Sequence, residues 1–173
     1  MLGHVRAFAV TVLALAALGL GAGLTWSWLA PRTPYAVTGE GPVLADPSTQ
    51  SLIAADGWFA VLTGLLGVLC GVGAWYAARH RPLPVILGLC AGGTLAAFLT
   101  LWAGSTFTLG AVHLAARTPP GVEIVAGSLT LTAKGVLVAW PLFAVGLFGA
   151  MEGVAAYRES PLRRPYGGLP PGE

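Results

Sequence analysis

Residues 7–29, AFAVTVLALAALGLGAGLTWSWL, carry no charged side chain. Three more stretches share that character: 57–78, 83–107 and 135–157, the last interrupted only by Glu152. At 1.5 Å rise per residue each makes a helix of about 33–37 Å, enough to cross a hydrocarbon core of about 30 Å with some tilt. The reading is an all-α membrane protein, a four-transmembrane-helix bundle occupying residues 1–157. Loops 30–56 and 108–134 lie outside, and a disordered cytoplasmic tail follows at 158–173.

Composition leads to the same class without any window. Charged residues are 9% of the 173-residue chain and apolar residues 55%, where soluble domains carry roughly 25% charge. A water-soluble chain of this size leaves about 30% of its surface exposed on folding, so lipid must cover what one core cannot. The formal charge of +2 and the absence of a basic run with interleaved aromatics exclude nucleic acid as a partner.

The cations are unevenly shared. Arg6, Arg79, Arg81, Arg158, Arg163 and Arg164 fall on one side of four crossings, and Arg32, Arg117 and Lys134 on the other. Glu40, Asp46, Asp56 and Glu123 lie on the cation-poor side. The positive-inside rule then places the chain in the plasma membrane with both termini cytoplasmic. The first stretch is too long for a signal h-region and reads as an uncleaved anchor. Trp26 and Trp28, with Pro31 beyond, mark its outer interface.

The short connection Arg79-His80-Arg81-Pro82 makes the second and third helices antiparallel neighbours. The outer loops are longer and β-prone. Tyr35-Ala36-Val37-Thr38 and Pro42-Val43-Leu44 flank Gly39-Glu40-Gly41; Val122-Glu123-Ile124-Val125 and Ser128-Leu129-Thr130-Leu131-Thr132 flank Ala126-Gly127. They form either a small extracytoplasmic β-hairpin cap or two irregular loops on the helix ends. Asp46-Pro47 has the form of an N-cap before a helix.

Each stretch carries glycines four apart, on one helix face: Gly19 and Gly23, Gly67 and Gly71, Gly88 and Gly92, Gly149 and Gly153. Apolar burial gives helices no mutual attraction in lipid, so close backbone approach through such faces is the expected packing mode, with the glycines pointing inward. Matches between Ala55-Asp56-Gly57 and Ala133-Lys134-Gly135 hint at a duplicated helix–loop–helix, which would set Asp56 and Lys134 at equal height as an ion pair.

Chemistry-bearing residues are few. Glu152 is the one formal charge at hydrocarbon depth and is either a proton or cation site, or an acid tethering its helix to Arg79, His80 or Arg81. Pro141 removes a hydrogen bond to Leu137, so a kink is expected in the outer half of the fourth helix. Cys70 and Cys90 read as small buried hydrophobes. His4, His80 and His113 do not cluster, and no Ser–His–Asp order, His-Glu-x-x-His or phosphate-binding glycine loop is present. No enzyme activity, cofactor or metal is expected.

At Trp26-Ser27-Trp28-Leu29-Ala30-Pro31, Ala55-Asp56-Gly57-Trp58-Phe59 and Trp140-Pro141 the chain resembles an uncharacterised family of small four-span membrane proteins from high-GC actinobacteria, a domain of unknown function. That resemblance implies the four-span architecture and supplies no catalytic residue. Function is thus expected to be that of an accessory or scaffold component of a membrane assembly, its partners being membrane lipid and either itself or another integral membrane protein. The alternative is a small transporter or channel using Glu152 and the Pro141 kink. A third reading, an envelope enzyme, would need clustered acids in the outer loops, where Glu40, Asp46 and Glu123 are scattered.

Overall fold

The computed structural model describes residues 2–38, 41–44, 50–78, 82–107, 123–127 and 129–160. Four helices dominate: α1 (Leu2–Leu29), α2 (Ser51–Ala78), α3 (Pro82–Thr106) and α4 (Ala139–Glu159), the last preceded by a 3-10 helix over Lys134–Val138. All four are long and apolar enough to cross a membrane. The chain is a multi-pass membrane protein with four candidate spans packed as a bundle. The expected turn at Gly39-Glu40, the Asp46-Pro47 cap, the Arg79-His80-Arg81 turn, Ser128 and the tail beyond Ser160 lie outside the described residues.

Sequence neighbours are not the closest packing partners. Although α2 and α3 follow one another, α1 packs chiefly on α3 and α2 on α4, with α3 against α4 joining the two pairs. The reason lies in the small residues. A Cβ at Gly19 would stand 2.6 Å from the carbonyl oxygen of Ala96, and one at Gly23 2.7 Å from that of Thr100. From the other side, a Cβ at Gly88 would meet Thr11 at 2.9 Å and one at Gly92 would meet Leu15 at 2.8 Å. Residue numbers rise together along both helices, so α1 and α3 are parallel. The α2/α4 pair is parallel too, with Gly67 against the Trp140 carbonyl at 2.6 Å and Gly71 against that of Ala144 at 2.5 Å.

Gly149 and Gly153 depart from the expected inward orientation. Both are exposed, and a Cβ at either would meet nothing within 4 Å. Helix α4 buries Trp140, Ala144 and Phe148, and at 3.6 residues per turn the two glycines fall about 140–180° round the helix from that face. Trp26 also differs from expectation. Trp28 faces outward, but Trp26 is fully buried, edge-on to Phe59 with ring centroids 5.2 Å apart.

Hydroxyl groups within the spans turn back on their own helices. Thr11, Thr25, Thr63, Thr94 and Thr100 each donate to the carbonyl four residues earlier, at 2.7–2.9 Å. In hydrocarbon no water would satisfy them otherwise. Thr100 also donates across the α1/α3 contact to the Gly19 carbonyl at 3.0 Å.

At the end where α1 finishes and α2 begins sits a three-stranded sheet of β1 (Pro34–Thr38), β2 (Gly41–Leu44) and β3 (Glu123–Ala126), in the order β2-β1-β3. The first expected hairpin is present, with Tyr35 opposite Leu44 and Thr38 opposite Gly41. The second is not. β3 pairs antiparallel with β1, Tyr35 opposite Val125, and residues 129–132 belong to no strand. Their alternation is answered by the bundle: Leu129 is buried against Trp26, Ala30, Ala55 and Phe59, while Thr130 and Thr132 are exposed.

Candidate functional site

The same end of the bundle holds the buried charges among the described residues, Arg32 and Asp56, together with buried Ser27 and Thr33. They form a clasp joining four segments. Ser27, in the last turn of α1, donates its hydroxyl to the carbonyl of Phe107 just past α3. Arg32 folds back on Ser27, its Nη2 donating to the hydroxyl at 3.1 Å and the carbonyl at 3.3 Å. Such charge-assisted bonds hold better than neutral ones. Burial pushes the Arg32 pKa down. An arginine starts so far above neutrality that it keeps its charge.

Thr33 extends the clasp to α2 and the sheet. Its hydroxyl lies 2.8 Å from that of Ser51 at the start of α2, and its carbonyl accepts the Gly127 N–H at 2.9 Å. The Trp26 indole N–H donates to the Ala55 carbonyl at 2.9 Å. Asp56 then captures the approach to α4: its two carboxylate oxygens accept the backbone N–H groups of Thr132 at 3.1 Å and Ala133 at 2.8 Å. Lys134 is exposed and makes no ion pair with Asp56, which corrects the expected rim pair. Two amides close to the carboxylate replace a hydrated lysine that would contribute little.

Pro141 occupies the first turn of α4, immediately after the 3-10 helix ends. The missing N–H falls in the first turn, where an α-helix spends none on an internal bond, and the expected break in the fourth stretch takes the form of a change of helix type just before the proline. The Pro141 Cα would lie 3.0 Å from a Cβ at Gly93, seating the proline on α3.

Glu152 is half-buried near the opposite end, where its Oε2 accepts the Trp75 indole N–H of α2 at 3.1 Å. Arg79, His80 and Arg81, its expected partners, lie outside the described residues. A cleft of about 490 Å³ beside it is lined by Trp75, Tyr76, Arg158 and Glu159 with apolar residues of α4. Cys70 and Cys90 are free thiols, Cys70 half-buried against the core and Cys90 exposed. No group of three His, Cys, Asp or Glu side chains capable of holding a metal occurs among the described residues.

No family model, curated protein or solved structure matches this chain. Its family is not identified, and what stands is a small four-span membrane protein with a clasped rim. Sequence reasoning singled out Asp56 but missed Ser27, Arg32 and Thr33. Ser27 between two tryptophans at a helix end was the available signal, because a hydroxyl there must find a carbonyl. Arg32 was visible only as a loop charge.

The interior between the helices is filled by large side chains. Trp140, Phe59, Phe148, Leu89 and Val85 are fully buried. The Trp140 indole N–H has no hydrogen-bond partner, with the Cys70 thiol beside it but outside bonding geometry. Sulfur is a weak acceptor, and the ring's packing outweighs one unmade bond.

Proposed function

We propose that this chain is an accessory or scaffold component of a plasma-membrane assembly, with both termini in the cytoplasm, working by association and not by catalysis. The supporting observation is the contrast between interior and surface. Inside, aromatic and aliphatic side chains fill the bundle, and buried Thr63 and Thr100 spend their hydroxyls on backbone carbonyls, leaving no polar lining among the described residues for a conduit. Outside, Gly146, Gly149 and Gly153 form an open face on α4, the kind of surface through which helices approach closely in lipid. The cation count argues for the orientation, since Arg6 and Arg158 stand at the end shared by both termini.

Mild-detergent purification followed by mass determination tests this reading. A stoichiometric complex, with itself or with another membrane protein, that dissociates on Gly149→Leu or Gly153→Leu is the expected result. A monodisperse lone monomer overturns it. Flux in proteoliposomes abolished by Glu152→Gln would establish a conduit in its place.

A further inference from the structure

The cleft of about 490 Å³ beside Glu152 changes character along its length. Its α4 wall runs from Met151 and Val154, inside the apolar stretch that ends at Tyr157, to Arg158 and Glu159, the first charges beyond that stretch. Met151 to Glu159 rises about 12 Å. The wall thus passes from the edge of the hydrocarbon into the headgroup layer. Such a gradient suits an amphiphile that enters sideways from the bilayer and leaves its polar end at the two charges.

The α2 wall supplies two aromatic rings. Trp75 and Tyr76 stand edge to face, with ring centroids 5.0 Å apart and planes at 79°. The Trp75 indole N–H is committed to Glu152, which fixes that ring in the wall. Tyr76 is largely exposed. An aromatic face at a cleft mouth attracts a cation.

The charges select the occupant. Arg158 and Glu159 are exposed, and neither side chain makes an ion pair or hydrogen bond among the described residues. An anionic headgroup would satisfy Arg158 and be repelled by Glu159, and a cationic one would meet the reverse. A headgroup that carries both a phosphate and an ammonium group satisfies both.

We propose that this α2/α4 cleft binds one zwitterionic phospholipid from the leaflet at the end of the bundle shared by both termini. The phosphate sits on the Arg158 guanidinium, the ammonium group between the Glu159 carboxylate and the Tyr76 ring, and the start of the acyl chains along Met151 and Val154. The cleft includes none of Gly146, Gly149 and Gly153, so the proposal stands apart from the scaffold reading.

The test uses the full chain purified in a neutral detergent and supplemented with phosphatidylethanolamine or phosphatidylglycerol of the same acyl chains, with retained lipid read by native mass spectrometry. Wild type retains a single phosphatidylethanolamine, about fivefold more readily than phosphatidylglycerol, the scale of one charge near the membrane surface. Glu159→Gln removes both the partner of the ammonium group and the repulsion of an anionic headgroup, so the preference disappears or reverses. Arg158→Gln lowers retention of both lipids about fivefold. Both side chains are exposed, so the melting temperature stays where it is in either variant.

A wild-type preference for phosphatidylglycerol, or a preference for phosphatidylethanolamine that survives Glu159→Gln, overturns the proposal. Unchanged retention in Arg158→Gln would mark ordinary boundary lipid and overturns it too. So does a wild-type dimer lost on Val154→Trp, which would place a second copy in the cleft.

Discussion

Between α1 and α3 glycines stand on both surfaces of the contact, whereas between α2 and α4 they stand on one. Gly19 and Gly23 meet Ala96, Thr100 and Ala103, and Gly88 and Gly92 meet Thr11, Val12 and Leu15 in return. Across the other pair, Gly64, Gly67 and Gly71 of α2 receive Trp140, Phe143 and Ala144, while the glycines of α4 look away. Reciprocal contacts lock two backbones at several heights and admit an interhelical hydrogen bond from Thr100. One-sided contacts seat a bulky helix on a smooth one, which can slide or tilt out into lipid. Helix α3 is the most buried of the four spans because it packs on α4 as well as on α1.

The largest effect is expected at Gly19→Leu. Its Cβ would overlap backbone atoms of Ala96, and separation of the helices would also break the bond from Thr100 to the Gly19 carbonyl. Overpacking plus the lost interhelical bond amounts to about 2–4 kcal/mol, read from reversible unfolding in mixed micelles, while the Thr100 hydroxyl keeps its bond to the Ala96 carbonyl. Gly71→Leu breaks the other pair and costs about 1–2 kcal/mol, because α4 can yield outward. Equal losses at the two sites would dissolve the distinction between reciprocal and one-sided pairing.

The rim sharpens the comparison, since there the two pairs are tied by polar groups. Asp56→Ala leaves the Thr132 and Ala133 amides without their acceptor and is expected to destabilise by about 1–3 kcal/mol in the same assay. Lys134→Ala, at an exposed side chain that makes no ion pair with Asp56, should change stability by less than about 0.5 kcal/mol. At the opposite end Trp75→Phe removes the donor to Glu152. A loss of about 1 kcal/mol is expected there, small because an acid near the interface can turn toward water.

The four rods were legible because hydrophobic length is a one-dimensional property, readable from residues 7–29 or 83–107 without knowing any contact. Glycine spacing told that faces for close approach exist. It did not tell which helix answers which face, because Gly149 and Gly153 have the same spacing as Gly67 and Gly71. The short 79–82 connection suggested pairing of α2 with α3, yet a turn only limits how far apart two helix ends lie; side-chain volume decided the partners. At residues 129–132 the alternation was real but strand and bundle contact share it, and Leu129 went to the helices. Arg32 was illegible as a clasp residue, since its partners Ser27 and Phe107 meet only after α1 and α3 have packed.

The smallest expected effect separates spacing from contact most cleanly. Gly149→Ala and Gly153→Ala keep the helix geometry and add one methyl each, where nothing lies within 4 Å. In the isolated chain they should be neutral or slightly stabilising, because alanine surpasses glycine within helices by up to about 1 kcal/mol in water, and a span with its hydrogen bonds already enforced by lipid has less to gain. Gly67→Ala provides the counterpart: the same methyl would stand 2.6 Å from the Trp140 carbonyl oxygen and must push α4 away. A measurable loss at Gly67 beside none at Gly149 or Gly153 ties stability to the facing backbone and not to the four-residue repeat. A loss at Gly149 in the monomer would require that face to be packed, and would return α4 to the reciprocal mode seen between α1 and α3.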